Sequence, residues 1–127
     1  MAPSEVHDAT ARQIVDAAFA VHSALGPGLL ESVYEQCLVH ELTSRDQKIA
    51  RQVTLPIQYR GMTIEAGLRL DMLVNELVIV EVKAIERLLP VHEAQLLTYL
   101  KLAQKRLGIL VNFNVPLIKD GIRRLAL

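Results

Sequence analysis

The chain has 127 residues, enough for one domain with a modest core. Apolar residues make up 51% and charged residues 22%, and no low-complexity or Pro/Ser-rich stretch marks a disordered linker. Lys plus Arg and Asp plus Glu stand at 14 each, so no global field draws in nucleic acid and any such contact must use a local patch.

Cys37 is the only cysteine, which excludes an intrachain disulfide and points away from an oxidising compartment. The start, MAPSEVHDAT, has neither a basic n-region nor an apolar h-region, and no apolar run approaches the about 18 residues of a membrane span. A cytoplasmic protein without membrane contact is the expectation. No internal repeat occurs at solenoid periods.

Asp8 or Thr10 can cap a first helix, whose apolar positions Ile14, Ala17, Ala18, Val21 and Leu25 keep helical spacing until Gly26-Pro27-Gly28 ends it. A second helix is expected from about Leu30 to Leu42 or slightly beyond. It buries Val33, Cys37, Leu38 and Leu42 and turns Glu35, Gln36 and His40 outward. Glu31 and Tyr34 share one face of it. Taken alone, Glu31 reads as a first-turn acid complementing the helix dipole or as solvated charge.

From Ile49 to Tyr59 the pattern is that of a strand, with Pro56 demanding an edge position or a bulge. Arg60-Gly61 turns it into Met62–Gly67, and this meander leads to LRLDMLVNELVIVEVKA, Leu68 to Ala84, an aliphatic run carrying Asp71, Glu81 and Lys83. Asn75-Glu76 breaks the run into two antiparallel strands. A two-residue loop would oppose Asp71 to Val80. A three-residue loop, Asn75-Glu76-Leu77, opposes Val74 to Val78, Met72 to Val80, Leu70 to Val82 and Leu68 to Ala84, giving one wholly apolar face. The other face then pairs Leu73 with Ile79, Asp71 with Glu81 and Arg69 with Lys83. Facing residues have Cβ atoms about 4.5–5.5 Å apart, so two carboxylates become neighbours and call for positive charge between them. A divalent cation meets that need. Leu77, Ile79 and Ile85 share the face of Glu81 and Lys83, which distinguishes it from a plain solvated surface, because buried unpaired charge is costly.

Ile85–Val91 carries Pro90 and reads as a loop, followed by a helix from His92 to about Lys105 with Gln95 and Tyr99 on one face. Gly108–Phe113 is a short buried strand, and Lys119-Asp120-Gly121 turns the chain into a last strand, Ile122–Ala126. Two helices, a run of strands, a helix and further strands describe an α/β class domain, a mixed β-sheet flanked by helices. Basic patches for nucleic acid are Lys101, Lys105 and Arg106 on the predicted third helix, and Lys119, Arg123 and Arg124 near the end; ordinary solvated charge explains either equally well.

Asp71, then Glu81-Val82-Lys83, then a helix with Gln95-Leu96-Leu97-Thr98-Tyr99, resembles the PD-(D/E)xK nuclease superfamily and the QxxxY element of its RecB-type exonuclease branch. Gly28-Leu29-Leu30-Glu31-Ser32-Val33-Tyr34 is similar to the signature of its GxxExxY family. The resemblance runs from about His22 to Phe113. Leu70 stands where the first motif is named for Pro, and Asn114 follows Asn112-Phe113 where the family tends to have Gly.

The resemblance implies a restriction-endonuclease-like core over one domain, residues 1–127, and metal-dependent phosphodiester hydrolysis, with DNA the expected substrate. Asp71 and Glu81 would be ligands of Mg²⁺ or Mn²⁺, with the Val82 carbonyl oxygen and Glu31 completing the shell, in keeping with the preference of hard cations for oxygen donors. Lys83 would orient or activate the attacking water and offset phosphate charge. Gln95 and Tyr99 would hold Lys83 or the nucleic-acid backbone, and His22 and His92 could support the site from behind. Neither a CxxC nor an HxxxH pair supports structural zinc. A nuclease-fold protein that binds nucleic acid or a protein partner without cutting is the alternative, and the small size leaves room for a homodimer. A metabolic enzyme using the acids as proton shuttles lacks a nucleotide loop or a nucleophile–base pair.

Overall fold

In the computed structural model, residues 3–127 are described. Met1 and Ala2, where the segment read as lacking a leader begins, lie outside them. The elements run α1 (Glu5–Leu25), α2 (Glu31–Ser44), β1 (Ile49–Tyr59), β2 (Met62–Val74), β3 (Val78–Lys83), α3 (Pro90–Ala103), β4 (Leu107–Asn112), a single 3-10 turn (Ile118–Gly121) and β5 (Ile122–Ala126). No helix among the described residues is long and apolar enough to cross a membrane.

The five strands lie in chain order, antiparallel throughout except for the parallel pair β3–β4, which α3 connects. This is the expected mixed sheet flanked by helices. One face packs against α1 and α2 through Ile14, Ala17, Ala18, Tyr34, Leu38, Val74, Val80 and Phe113. The other packs against α3 through Leu68, Leu70, Ile79, Leu96, Leu100 and Leu110. With helices on both sides, β3 and β4 are buried on both faces, which is why their sequences read as continuous apolar runs.

Several boundaries move for identifiable reasons. The first helix begins at Glu5, not after Asp8 or Thr10, because Ser4 caps it. Its N–H donates to His7 Nδ1 at 3.2 Å, and its hydroxyl lies 2.8 Å from the same nitrogen. The third helix begins at Pro90, which occupies the first turn where no N–H is needed, so proline opens the helix instead of lying in a loop before it. Met62 to Val74 is one continuous strand and not two. Pro56 does mark a register shift, between Leu55 and Ile57 on the edge strand, and Arg60 and Gly61 form the tight turn at φ 47° and 81°. Val33 and Cys37 are half-buried, below the full burial expected of them.

The central hairpin has the three-residue loop. Asn75 and Glu76 both take positive φ, the Leu77 N–H donates to the Val74 carbonyl at 3.0 Å, and Val74 faces Val78, Leu73 faces Ile79 and Met72 faces Val80. Asn75 fixes this corner: its N–H donates to the Lys48 carbonyl, its side-chain oxygen accepts the Lys48 N–H, and its side-chain amide donates to Thr10 and Gln47.

The expected single apolar face does not persist beyond Met72. Leu68 and Leu70 pack in the α3 cluster, whereas Met72 and Val74 pack against α1 and α2. Backbone pairing of β2 with β3 stops at Met72–Val80, so the anticipated partners Asp71–Glu81, Leu70–Val82, Leu68–Ala84 and Arg69–Lys83 do not form a ladder. The reversal falls at Asp71 on β2 and at Gln52, opposite it on β1, where φ is 49°. Alternation counted along a flat strand misses such a turn.

Candidate functional site

Where the β2–β3 ladder ends, two carboxylates take over its hydrogen bonds. The Asp71 N–H donates to Glu81 Oε2 at 2.9 Å, and the Val82 N–H donates to Asp71 Oδ2 at 2.8 Å. Each acid therefore accepts from the opposite strand, and both lie in the gap between β2 and β3. Glu81 is 4% exposed. Burial first, and the adjacent Asp71 second, push its carboxyl up to about 8. Burial also raises Asp71, against the lowering effect of the Val82 N–H, with Glu35 and Glu31 adding to the rise.

Lys83 follows at the end of β3 and opens into a groove of about 550 Å³ that it lines with Val91, His92, Ala94, Gln95 and Thr98. Gln95 donates to the Tyr99 hydroxyl at 2.9 Å, as expected for residues one helical turn apart on α3. Burial raises the Tyr99 hydroxyl, and the charges of Glu81 and Asp71 raise it further, so the Gln95–Tyr99 pair borders the acids. The sheet thus brings Glu81, Lys83, Gln95 and Tyr99 together on the side of α3, with the Asp71 carboxylate beside them in the gap between β2 and β3.

Glu31 is exposed at the start of α2, and its charge reaches both Asp71 and Glu81. Among the described residues, no group of three His, Cys, Asp or Glu side chains is close enough to hold a metal by itself. The groups that converge are the two carboxylates and the Val82 N–H, and the carboxylates alone offer oxygen donors suited to a hard cation that keeps waters in its shell. Glu81 is buried and Asp71 half-buried, and an ion between them would offset the repulsion of their carboxylates.

The Asn-Phe-Asn segment shapes the wall beside Lys83. Asn112, almost fully buried, accepts from the Ile85 and Asn114 N–H groups and donates to the Ile85 carbonyl, while the Phe113 N–H donates to the Lys83 carbonyl at 2.9 Å. Asn114, standing where glycine was anticipated, completes the turn and adds a weak 3.4 Å bond to Ile85. Phe113 stacks on Tyr34 with ring centroids 4.6 Å apart. The Tyr34 hydroxyl donates to the Gly26 carbonyl at 2.6 Å and accepts from the Leu29 N–H at 3.1 Å. Tyr34 therefore ties the Gly26–Leu30 loop, and with it the start of the Glu31 helix, to the sheet.

The two histidines have local structural partners. His22 lies buried with Nε2 donating to the Val115 carbonyl at 2.7 Å, tying α1 to the loop after β4. His92 accepts the Leu89 N–H on Nδ1 at 2.8 Å, which caps α3 while the ring lines the Lys83 groove. In the basic patches, Lys105 is engaged with the Glu76 carbonyl, Arg123 with the Asp120 and Ile122 carbonyls, and Arg124 with Asp8.

Glu35 was expected to face solvent and does not. It is 8% exposed and takes bonds from Arg51 at 2.8 Å and from Gln52 at 2.9 and 3.1 Å. Helical spacing carries no signal of this, because Glu31, one turn earlier on the same face of α2, is exposed.

A mixed sheet with helices on both faces, carrying paired acids and a lysine on its central hairpin, is the α/β restriction-endonuclease-like architecture. The sequence profile of the PD-(D/E)XK nuclease superfamily matches residues 8–125, and the chain belongs to that superfamily, whose members are generally nucleases that typically use divalent metals. No curated protein and no solved structure matches the chain.

Proposed function

We propose that this protein is a Mg²⁺- or Mn²⁺-dependent nuclease that hydrolyses phosphodiester bonds in DNA, built as one catalytic domain over residues 1–127. The observation that carries the reading is the crossed pair of carboxylates, Asp71 and Glu81, held in the gap between β2 and β3 beside Lys83. Asp71, Glu81 and the Val82 carbonyl would hold the ion, with Glu31 reaching the outer side of its shell. The bound ion would lower the pKa of a water and polarise a phosphoryl oxygen.

The chain's own groups do the remainder. Lys83 presents a fixed ammonium group where negative charge develops on the phosphate, and it orients the attacking water. Gln95 holds the Tyr99 hydroxyl, and together they place one nucleic-acid strand along α3. The groove that Lys83 lines with Gln95 and Thr98 would give that strand a path along α3. Gly28, Glu31 and Tyr34 support assignment to the GxxExxY family, since Tyr34 closes the glycine loop that leads into the Glu31 helix. A cytoplasmic location belongs to this reading, supported by the single cysteine.

The test is calorimetric titration of Mg²⁺ and Mn²⁺ into the wild type and Asp71→Ala, with labelled single- and double-stranded DNA digested in parallel. Metal binding lost in Asp71→Ala, with cleavage lost in Lys83→Ala, supports the proposal. A folded wild type that neither binds metal at millimolar concentration nor cuts either substrate overturns it.

A further inference from the structure

We propose that Glu35 is a positioning residue that sets the orientation of Asp71 through Gln52. Successive side chains of a regular strand point to opposite faces. Yet the Glu35 carboxylate gathers both Arg51 and Gln52, neighbours on β1. This is feasible because Gln52 sits at φ 49°, a left-handed conformation that residues other than glycine adopt rarely and that persists where surrounding contacts hold it.

The turn at Gln52 is transmitted across the sheet. Val53 faces Leu70 and Arg51 faces Met72, so Gln52 stands opposite Asp71. On both strands the inward face changes at this point. Val53 and Leu70 pack with the α3 cluster, while Ile49 and Met72 pack with α1 and α2. Asp71 is the pivot of the reversal on β2. Its carboxylate is swung off either face and into the gap, where Oδ2 receives the Val82 N–H. Glu35 thus acts on a candidate metal ligand from the opposite helix layer without touching it. The catalytic consequence rests on the proposed metal centre, but the positioning itself does not.

A plain ion pair tying α2 to β1 through Arg51 is the competing account, and hydrogen exchange separates the two in the metal-free protein. Loss of the clamp in Glu35→Ala or Gln52→Ala is expected to speed exchange of the Val82 amide by about tenfold, the scale of one lost hydrogen bond, with the Ile79 and Val80 amides unchanged. The double variant should be no worse than either single one, because both break the same linkage. Glu35→Gln, which keeps an oxygen for the Gln52 amide, should retain most of the protection. Gln52 is exposed, so Gln52→Ala keeps the test open even where Glu35→Ala fails to fold.

A Val82 amide that is unmoved in Gln52→Ala, or a uniform acceleration along β3, overturns the proposal, as does a Glu35→Gln variant as damaged as Glu35→Ala. Mn²⁺ titration of the same proteins supplies the functional arm, with about tenfold weaker binding expected in each clamp variant. Wild-type affinity in folded Gln52→Ala would overturn the link from the clamp to the metal centre. Absence of Mn²⁺ binding in the wild type would count against the proposed nuclease instead, and the exchange data would judge the clamp separately.

Discussion

Asp71 and Glu81 stitch their strands together crosswise: the backbone N–H of Asp71 is held by the Glu81 carboxylate, and the Asp71 carboxylate holds the N–H of Val82. The same bonds that keep β2 and β3 joined also keep two carboxyl groups side by side. Stability and site chemistry are therefore coupled.

That coupling has a pH signature. Glu81 is raised from 4.5 to about 8 in the folded chain. Between those values the folded state binds more protons than the unfolded state, so the metal-free protein should lose stability as pH rises through this window. The melting temperature should be several degrees higher at about pH 5.5 than at about pH 8.5. Glu81→Gln, which keeps an acceptor for the Asp71 N–H, should flatten the dependence. Thermal melts in a metal-chelating buffer across this range provide the measurement.

Added Mn²⁺ should act in the opposite sense. A cation bound by the acids competes with their protons, so its stabilising effect should grow as pH rises over the same window. Melts with and without Mn²⁺ at both ends of the range would show it. An equal shift at each end would count against the ion lying between Asp71 and Glu81.

Lys83→Ala should leave the fold intact, because the side chain is half-buried at the end of β3 and opens on the groove. Cleavage should fall by about 10²–10³-fold, the usual scale for removing one fixed charge that stabilises a transition state. Single-turnover digestion at saturating protein, with circular dichroism as the control, would measure this.

Tyr34→Phe removes one hydroxyl and retains the ring that stacks on Phe113. The Gly26 carbonyl and the Leu29 N–H lose their shared partner, so destabilisation of about 1–3 kcal/mol is expected in urea unfolding. Looser attachment of the loop before Glu31 should also appear as faster proteolysis between Gly26 and Leu30.

Gly121→Ala should be far more damaging. A Cβ at this buried glycine would collide with the Asn112 carbonyl oxygen, so backbone and not a flexible side-chain tip must move. A loss of about 3 kcal/mol or more is expected, placing the variant among the severe single substitutions. Denaturant titration would establish it, and a near-neutral result would mean that the β4–β5 connection can shift.

Much of this arrangement could be read from residue order. The three-residue Asn75–Leu77 loop follows from requiring the valines to oppose one another, and it places Asp71 near Glu81 before any coordinate is known. Pro56 announces a bulge because it cannot donate to a ladder. Leu68 and Leu70 resisted the same logic. Their parity with Met72 assigns them to one face, but the left-handed Gln52 and the end of pairing at Asp71 move them to the other. Glu35 was hidden for a related reason: its partners come from β1, and helical periodicity carries no information about a strand that docks later in the chain.

The parallel pairing of β3 with β4 also fixes when the centre can exist. The β1–β2–β3 portion is a local antiparallel meander, available early during synthesis, whereas Val78 to Lys83 must await Leu107 to Asn112 for the second ladder. A nascent chain halted before Leu107 would present an uncovered Val78–Val82 edge, prone to sticking to other chains. It would also lack the Phe113 and Asn112 bonds that fix the surroundings of Lys83. Assembly of the carboxylate site thereby waits on synthesis of β4, so products that stop before Leu107 would lack the strand and the bonds that hold the surroundings of Lys83 in place.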